Sequence, residues 1–151
     1  MADTSAAAEQ LALVVAQAGM QKSAARVMAA FLFAEEDSVT AGELSERLGI
    51  SSGGVSGAIK MLTQAGLIER VPAPGSRREH YRFRDNAWTT LYTSQNAVLD
   101  AFMRAAADGL DVVGADSLPG RRLTQMQEFY AYLLQELPAL IERWKAERDE
   151  A

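Results

Sequence analysis

The 151-residue sequence has no cysteine and a single histidine, His80. Without thiols there is no disulfide framework and no thiolate nucleophile, and such a composition suits a reducing compartment, so a cytoplasmic protein is expected. One imidazole leaves no His pair for a zinc site and no second ring for a relay. His80 has no credible Ser and Asp partners nearby in sequence, so catalytic residues, metal and cofactor are all expected to be absent. No apolar run approaches the ~20 residues a membrane-spanning helix needs. The first ten residues, MADTSAAAEQ, lack the basic stretch of a secretory signal. Disorder is excluded by a hydrophobic content of 48%. The length suits one ordinary domain, or a small module with helical extensions.

Positive charge is in deficit overall, with a net charge of −5. The average hides an asymmetry. Residues 40–84 hold seven basic residues (Arg47, Lys60, Arg70, Arg77, Arg78, Arg82, Arg84) against four acidic ones (Glu43, Glu46, Glu69, Glu79). Local field decides what a surface binds, so this middle third is the place to look for an anionic partner.

Helical periodicity opens the chain. Residues 5–18 carry Leu11, Val14, Val15 and Ala18 on one side and stop at Gly19. A second helix spans about Lys22–Ala34, and Glu35-Glu36-Asp37 is a solvated connection. Thr40-Ala41-Gly42-Glu43 is a capping box, in which the Thr hydroxyl accepts from the third backbone N–H and the Glu reaches back. It starts a short helix that ends at Gly49. Ser51 caps a second helix carrying Val55, Ile59 and Leu62 inward and closed by Gly66. Two helices separated by a short Gly-containing turn are the helix-turn-helix layout.

A hairpin follows. Leu67–Val71 reads as a strand, Pro72-Ala73-Pro74-Gly75-Ser76 as a turn and Glu79–Arg84 as an alternating strand with Tyr81 and Phe83 on one face. Arg77 and Arg78 stand at the tip. The unit is a winged helix-turn-helix. Beyond it, a helix is expected from Asp85-Asn86 to about Ala107, with Trp88, Leu91, Tyr92, Gln95, Val98, Leu99 and Phe102 recurring. Asp108–Gly120 then reads as a loop, and a last helix starts near Arg121. Pro138 should kink or break that helix, and the tail 145–151 should fray.

The last helix carries Leu123, Met126, Tyr130, Leu133, Leu137, Leu140 and Trp144 as an unbroken seam. A seam needs a partner, either the 88–106 helix of the same chain or a second copy. A homodimer is expected, with Leu11, Val15, Leu123, Met126, Tyr130, Leu133, Leu137 and Leu140 at its interface. The fold class is mainly α with a small β-hairpin wing. An N-terminal dimerisation helix (1–21), a winged helix-turn-helix (22–85) and C-terminal dimerisation helices (86–151) make up the chain.

The chemistry concentrates at the start of the second helix of the helix-turn-helix, Ser51-Ser52-Gly53-Gly54-Val55-Ser56-Gly57-Ala58-Ile59-Lys60. Each glycine inside a helix costs roughly 1 kcal/mol relative to alanine, and close approach to another surface is one reason to keep it. Small polar residues at a dipole-positive helix end suit phosphate or a groove floor. Ser51, Ser52, Gly53, Gly54, Ser56, Gly57 and Lys60 are therefore candidate DNA contacts, and Arg77 and Arg78 the second contact through the wing. Arg70 and Arg82 are placed either on phosphate or in pairs with Glu69 and Glu79. The glycine run lacks the Gly-Lys-Ser/Thr of a nucleotide loop and sits inside a helix, so nucleotide binding is rejected.

The pieces "AARVMAAFLF", "TAGELSERLGISSGGVSGAIKMLTQAGLIERV" and "PGSRREHYRF" resemble the MarR superfamily, specifically its GbsR-like branch, and are similar to actinobacterial repressors of membrane-transport operons. The resemblance implies a homodimeric DNA-binding regulator, usually a repressor, with dimer helices at both ends of the chain. It also implies a small apolar or aromatic ligand between the dimer arms and the DNA unit, for which Phe31, Trp88, Tyr92 and Phe102 are candidate lining residues, with Phe33 and Phe129. Ser76 stands where the commonest wing of such proteins has Asp, which leaves open how the wing arginines are held. The function expected is that of a ligand-responsive repressor acting on a pseudo-palindromic operator in double-stranded DNA. The alternative is a winged-helix protein-interaction module.

Overall fold

The computed structural model describes residues 3–94 and 96–149. It divides into two compact units, residues 1–91 and 92–151.

In the first unit, α1 (Thr4–Gln17) is capped by Asp3, whose carboxylate accepts from the Ala6 N–H at 3.2 Å. It packs on α2 (Lys22–Leu32) through alanines, with Ala12, Ala25 and Ala29 buried together. Side chains this small bring the two backbones close. This corrects the expected inner face of α1: Ala12 is buried, whereas Val14 is 53% exposed. Glu9 accepts two hydrogen bonds from the Arg26 guanidinium, at 3.0 Å from Nε and 2.8 Å from Nη2, and these hold its carboxyl below the usual range.

The other face of α2 builds the main core, where Val27, Met28 and Phe31 meet Leu44, Val55, Leu62, Leu67 and Ile68. Around it stand β1 (Val39–Thr40), α3 (Ala41–Leu48), α4 (Ser52–Gln64), β2 (Ile68–Val71) and β3 (His80–Phe83). Both halves of the Thr40–Glu43 capping box form, and Gly49 ends α3 at φ +64°. The turn into α4 is braced by the Ser45 hydroxyl, which donates to the Ile50 carbonyl at 2.6 Å. Gly66 closes α4 at φ +79°, and a Cβ there would overlap the Thr90 methyl. Both constraints select glycine.

The sheet runs β1-β3-β2, antiparallel throughout. The hairpin register pairs Ile68 with Phe83 and Val71 with His80. β1 was not legible in the sequence, because two residues, both buried, show no alternation. α5 (Ala87–Ser94) begins in the first unit, where Phe83 and Trp88 rings meet at 5.4 Å. Gln95 of the expected helical pattern lies outside the described residues.

The second unit centres on α6 (Asn96–Val113) packed against α7 (Leu118–Asp149). Three expectations are corrected here. Residues 108–120 are not one loop, because α6 continues to Val113 and the connection is only Gly114–Ser117. Gly109 stays helical and makes room for Leu123 of α7. Pro119 and Gly120 sit in the first turn of α7, where a missing N–H costs nothing, and the Ser117 hydroxyl accepts from the Gly120 N–H at 3.0 Å. Of the kink or break expected at Pro138, the break does not occur, since α7 continues to Asp149 with Pro138 inside it and the half-buried stripe Leu133, Leu137, Ile141 continues across it. The tail does not fray before Asp149. There the Arg148 guanidinium lies 5.4 Å from the Trp144 ring centre and Lys145 pairs with Glu142 at 3.2 Å. No described helix is long and apolar enough to cross a membrane.

Candidate nucleic-acid interface

α4 shows two faces. Val55, Ala58, Ile59 and Leu62 are buried, while Ser51, Ser52, Gly53, Ser56, Gly57 and Lys60 are exposed. Ser51 caps the helix by accepting the Gly54 N–H at 3.1 Å. The three glycines then separate. A Cβ on Gly54 would lie 2.7 Å from the Ile50 methyl, so this half-buried position is occupied by the chain's own turn. At Gly53 and Gly57 a Cβ would meet nothing within 4 Å. Packing explains Gly54. Nothing among the described residues explains the helix-destabilising choice at the other two.

The wing stands beside this face. Ala73-Pro74-Gly75-Ser76 closes by a 3.0 Å bond from the Ser76 N–H to the Ala73 carbonyl. Gly75 takes φ +84°, and Pro followed by positive-φ Gly is the signature of a type II turn. Arg77 and Arg78 follow, both exposed. A groove of about 670 Å³ lies between α4 and the wing, lined by Ser56, Lys60 and Gln64 on one side and by Arg70, Arg78 and Glu79 on the other.

The charges in this region are sorted by ion pairing. Arg82 reaches Glu69 at 2.8 Å, Arg84 reaches the same carboxylate at 3.8 Å, and Arg70 reaches Glu79 at 2.9 Å. Arg47 pairs with Glu36, whose carboxyl is held below its ordinary range chiefly by that hydrogen bond. Of the two roles open to Arg70 and Arg82, the structure realises the pairs. Among the described residues of the basic middle third, Lys60, Arg77 and Arg78 have no carboxylate partner, and they belong to α4 and the wing. Tyr81 donates its hydroxyl to Glu79 at 2.6 Å, and that bond raises the phenol's pKa and keeps it protonated. Sequence reasoning offered Glu79 as an ion-pair partner for an arginine but did not foresee its second partner, the Tyr81 hydroxyl two residues on.

His80 is satisfied at both nitrogens. Nδ1 lies 3.1 Å from the Ser38 hydroxyl and Nε2 3.2 Å from the Ser76 hydroxyl. Ser76 also accepts the Arg78 N–H at 3.2 Å.

The other expected sites are distributed as follows. Phe31 is buried in the first unit's core and Phe33 is exposed. Trp88 lies on Phe83. Tyr92 borders a recess of about 300 Å³ with Asn96, Leu137, Pro138 and Ile141, and Phe102 contacts Tyr130. Of the expected dimer residues, Leu11 and Val15 are half-buried beside the alanine contact with α2. Leu123 packs at Gly109 and Tyr130 on Phe102 and Phe129. Met126, Leu133 and Leu137 are half-buried, and Leu140 is 50% exposed. The seam therefore finds part of its partner on α6 of the same chain. Exposed apolar side chains remain beside it at Leu118, Phe129 and Tyr132, and Trp144 at its end is exposed as well.

Two family models cover this architecture between them. The MarR family matches residues 18–79, and one described as MmpR5-like MarR family transcriptional regulator matches residues 86–147. The HTH-type transcriptional regulator MmpR5 of Mycobacterium tuberculosis is 31% identical over 127 residues, spanning 83% of this chain and 76% of that protein. A solved structure described as a transcriptional regulator is 27% identical, with a TM-score of 0.83 over 92% of this chain and 95% of its own. With the winged helix-turn-helix and the basic groove already in place, these matches make the chain a member of the MarR family of DNA-binding transcriptional regulators.

Proposed function

We propose that the protein is a homodimeric repressor that grips a pseudo-palindromic operator with two copies of the α4 face and two wings. Ser51, Ser52, Gly53, Ser56 and Gly57 meet the groove, Lys60 meets phosphate, and Arg77 and Arg78 reach the minor groove or clamp its phosphates. Gly54 contributes by shaping the start of α4. The observation that carries this reading is the pair Gly53 and Gly57, an exposed helix face stripped of side chains that none of the described residues fills. Repression, and a transport operon as the regulated unit, are proposed on the resemblance of the sequence to the GbsR-like branch. A small apolar or aromatic ligand would release the operator by changing the separation of the two α4 helices, to the extent that it binds one spacing better than the other.

The test is retention of genomic duplex fragments by the full chain, followed by gel shifts at graded salt. A selected palindromic fragment should be held tightly, and the hold should weaken steeply with salt. Weak, sequence-blind binding would favour the protein-interaction module instead. Arg77→Ala should cost roughly 1–3 kcal/mol of operator affinity with no drop in thermal stability, because its side chain is exposed. Unchanged affinity would remove Arg77 from the interface.

The exposed apolar residues of α7 support the dimer. Leu140→Asp places a charge on that surface without touching a buried contact. Its association should weaken at least about tenfold, read by sedimentation across a concentration series, with the helical content retained. A variant that sediments as the wild type does would place the interface elsewhere.

A further inference from the structure

The wing arginines need support. Residues 72–79 form an exposed connection, and its tip, Pro74–Glu79, has no share in the core. A loop held only by its ends must be ordered when it binds, and that ordering subtracts from affinity.

We propose that His80 is a positioning residue for DNA binding, the middle member of a Ser38–His80–Ser76 clamp that presets the wing for Arg77 and Arg78. The proposal rests on the wing contacting DNA. His80 opens the central strand β3, paired with Thr40 of β1 and Val71 of β2, so its backbone is the most firmly held point near the wing. Ser38 immediately precedes β1 and contacts Nδ1 at 3.1 Å. Ser76 ends the type II turn and contacts Nε2 at 3.2 Å. The Ser76 hydroxyl donates to the Arg78 carbonyl at 3.5 Å and accepts the Arg78 N–H at 3.2 Å. The tautomer that satisfies every group at once has Nε2–H donating to Ser76 and Nδ1 accepting from the Ser38 hydroxyl. The chain of contacts runs from the sheet to the backbone of Arg78, with Arg77 enclosed between two fixed residues.

The geometry separates two conservative replacements. A glutamine amide extends as far as Nε2 and keeps a donor for Ser76. An asparagine amide stops at the depth of Nδ1, keeps Ser38 and loses Ser76. The experiment measures affinity of full-length variants for a duplex selected from randomised DNA by the wild-type protein. His80→Asn and Ser76→Ala should each bind about tenfold more weakly, and His80→Gln should stay within about twofold of wild type. In an Arg77→Ala, Arg78→Ala background, His80→Asn should cost no further affinity, because the clamp acts through those two residues. A purely structural role predicts the same loss in both backgrounds, and that result overturns the proposal. So does wild-type affinity in His80→Asn or Ser76→Ala while the arginine variant is weakened. Wild-type affinity in the arginine variant itself would remove the wing from the interface and the clamp with it. Ser76 is exposed, so its variant gives the answer should His80→Asn not fold.

Discussion

Gly57→Glu should lose the operator almost completely while the protein becomes no less stable. Most loss-of-function substitutions act by unfolding, and this one should not. A Cβ at Gly57 meets nothing within 4 Å, so the longer side chain has free space in its own chain. Replacing an exposed helical glycine also removes a penalty of about 0.5–1 kcal/mol. Against DNA the balance reverses. The new side chain fills the surface of closest approach, and its carboxylate faces phosphate from both subunits. A drop in operator affinity of a hundredfold or more, on the order of 3 kcal/mol, is expected. Thermal unfolding and gel shift on the same preparation test both halves. Gly57→Ala, with the same propensity gain and only a methyl group, should fall between the two. Wild-type affinity in Gly57→Glu would move the interface off α4.

The largest stability loss should come from Gly120→Ala, in the other unit. A single methyl group there collides with the Gly114 carbonyl oxygen and stands 2.9 Å from that of Ala115. Both obstacles are backbone, in a four-residue turn already fixed by the Ser117 hydroxyl, which donates to the Gly114 carbonyl at 2.8 Å. The turn cannot yield without releasing α6 from α7, so a loss of about 2–4 kcal/mol is expected by denaturant titration. Gly109→Ala is the control. Its methyl would lie 3.0 Å from Leu123 Cδ1, the movable end of a side chain. It should be close to neutral. If the two alanine variants unfold together, the tight turn is not what joins the helices.

Both glycines were in view in the sequence, but their meanings were not. What could be read there was local. The Thr40–Glu43 capping box, the Gly49 stop, the Ser51 cap and the Pro-Gly wing turn each complete themselves within four residues, and the winged fold followed from their order. What could not be read depended on a distant atom. Ser38 meets His80 from 42 residues away. Gly54 owes its identity to the direction of the Ile50 side chain. The pairing of Arg70 with Glu79 needed the hairpin register before it could be chosen over phosphate. Gly109, Pro119 and Gly120 resembled punctuation because glycine and proline usually end helices. Here one sits under a neighbouring leucine and two sit in a first turn, where the usual penalties do not apply.

The alanine contact between α1 and α2 has a mechanical consequence. Long side chains absorb displacement by changing rotamer, whereas methyl groups have no alternative positions. Ala12 against Ala25 and Ala29 therefore works as a rigid joint, and the opposite side of α2 bears directly on Val55 and Leu62 of α4. A tilt imposed on the first helix would travel to the reading helix with little slack along the way.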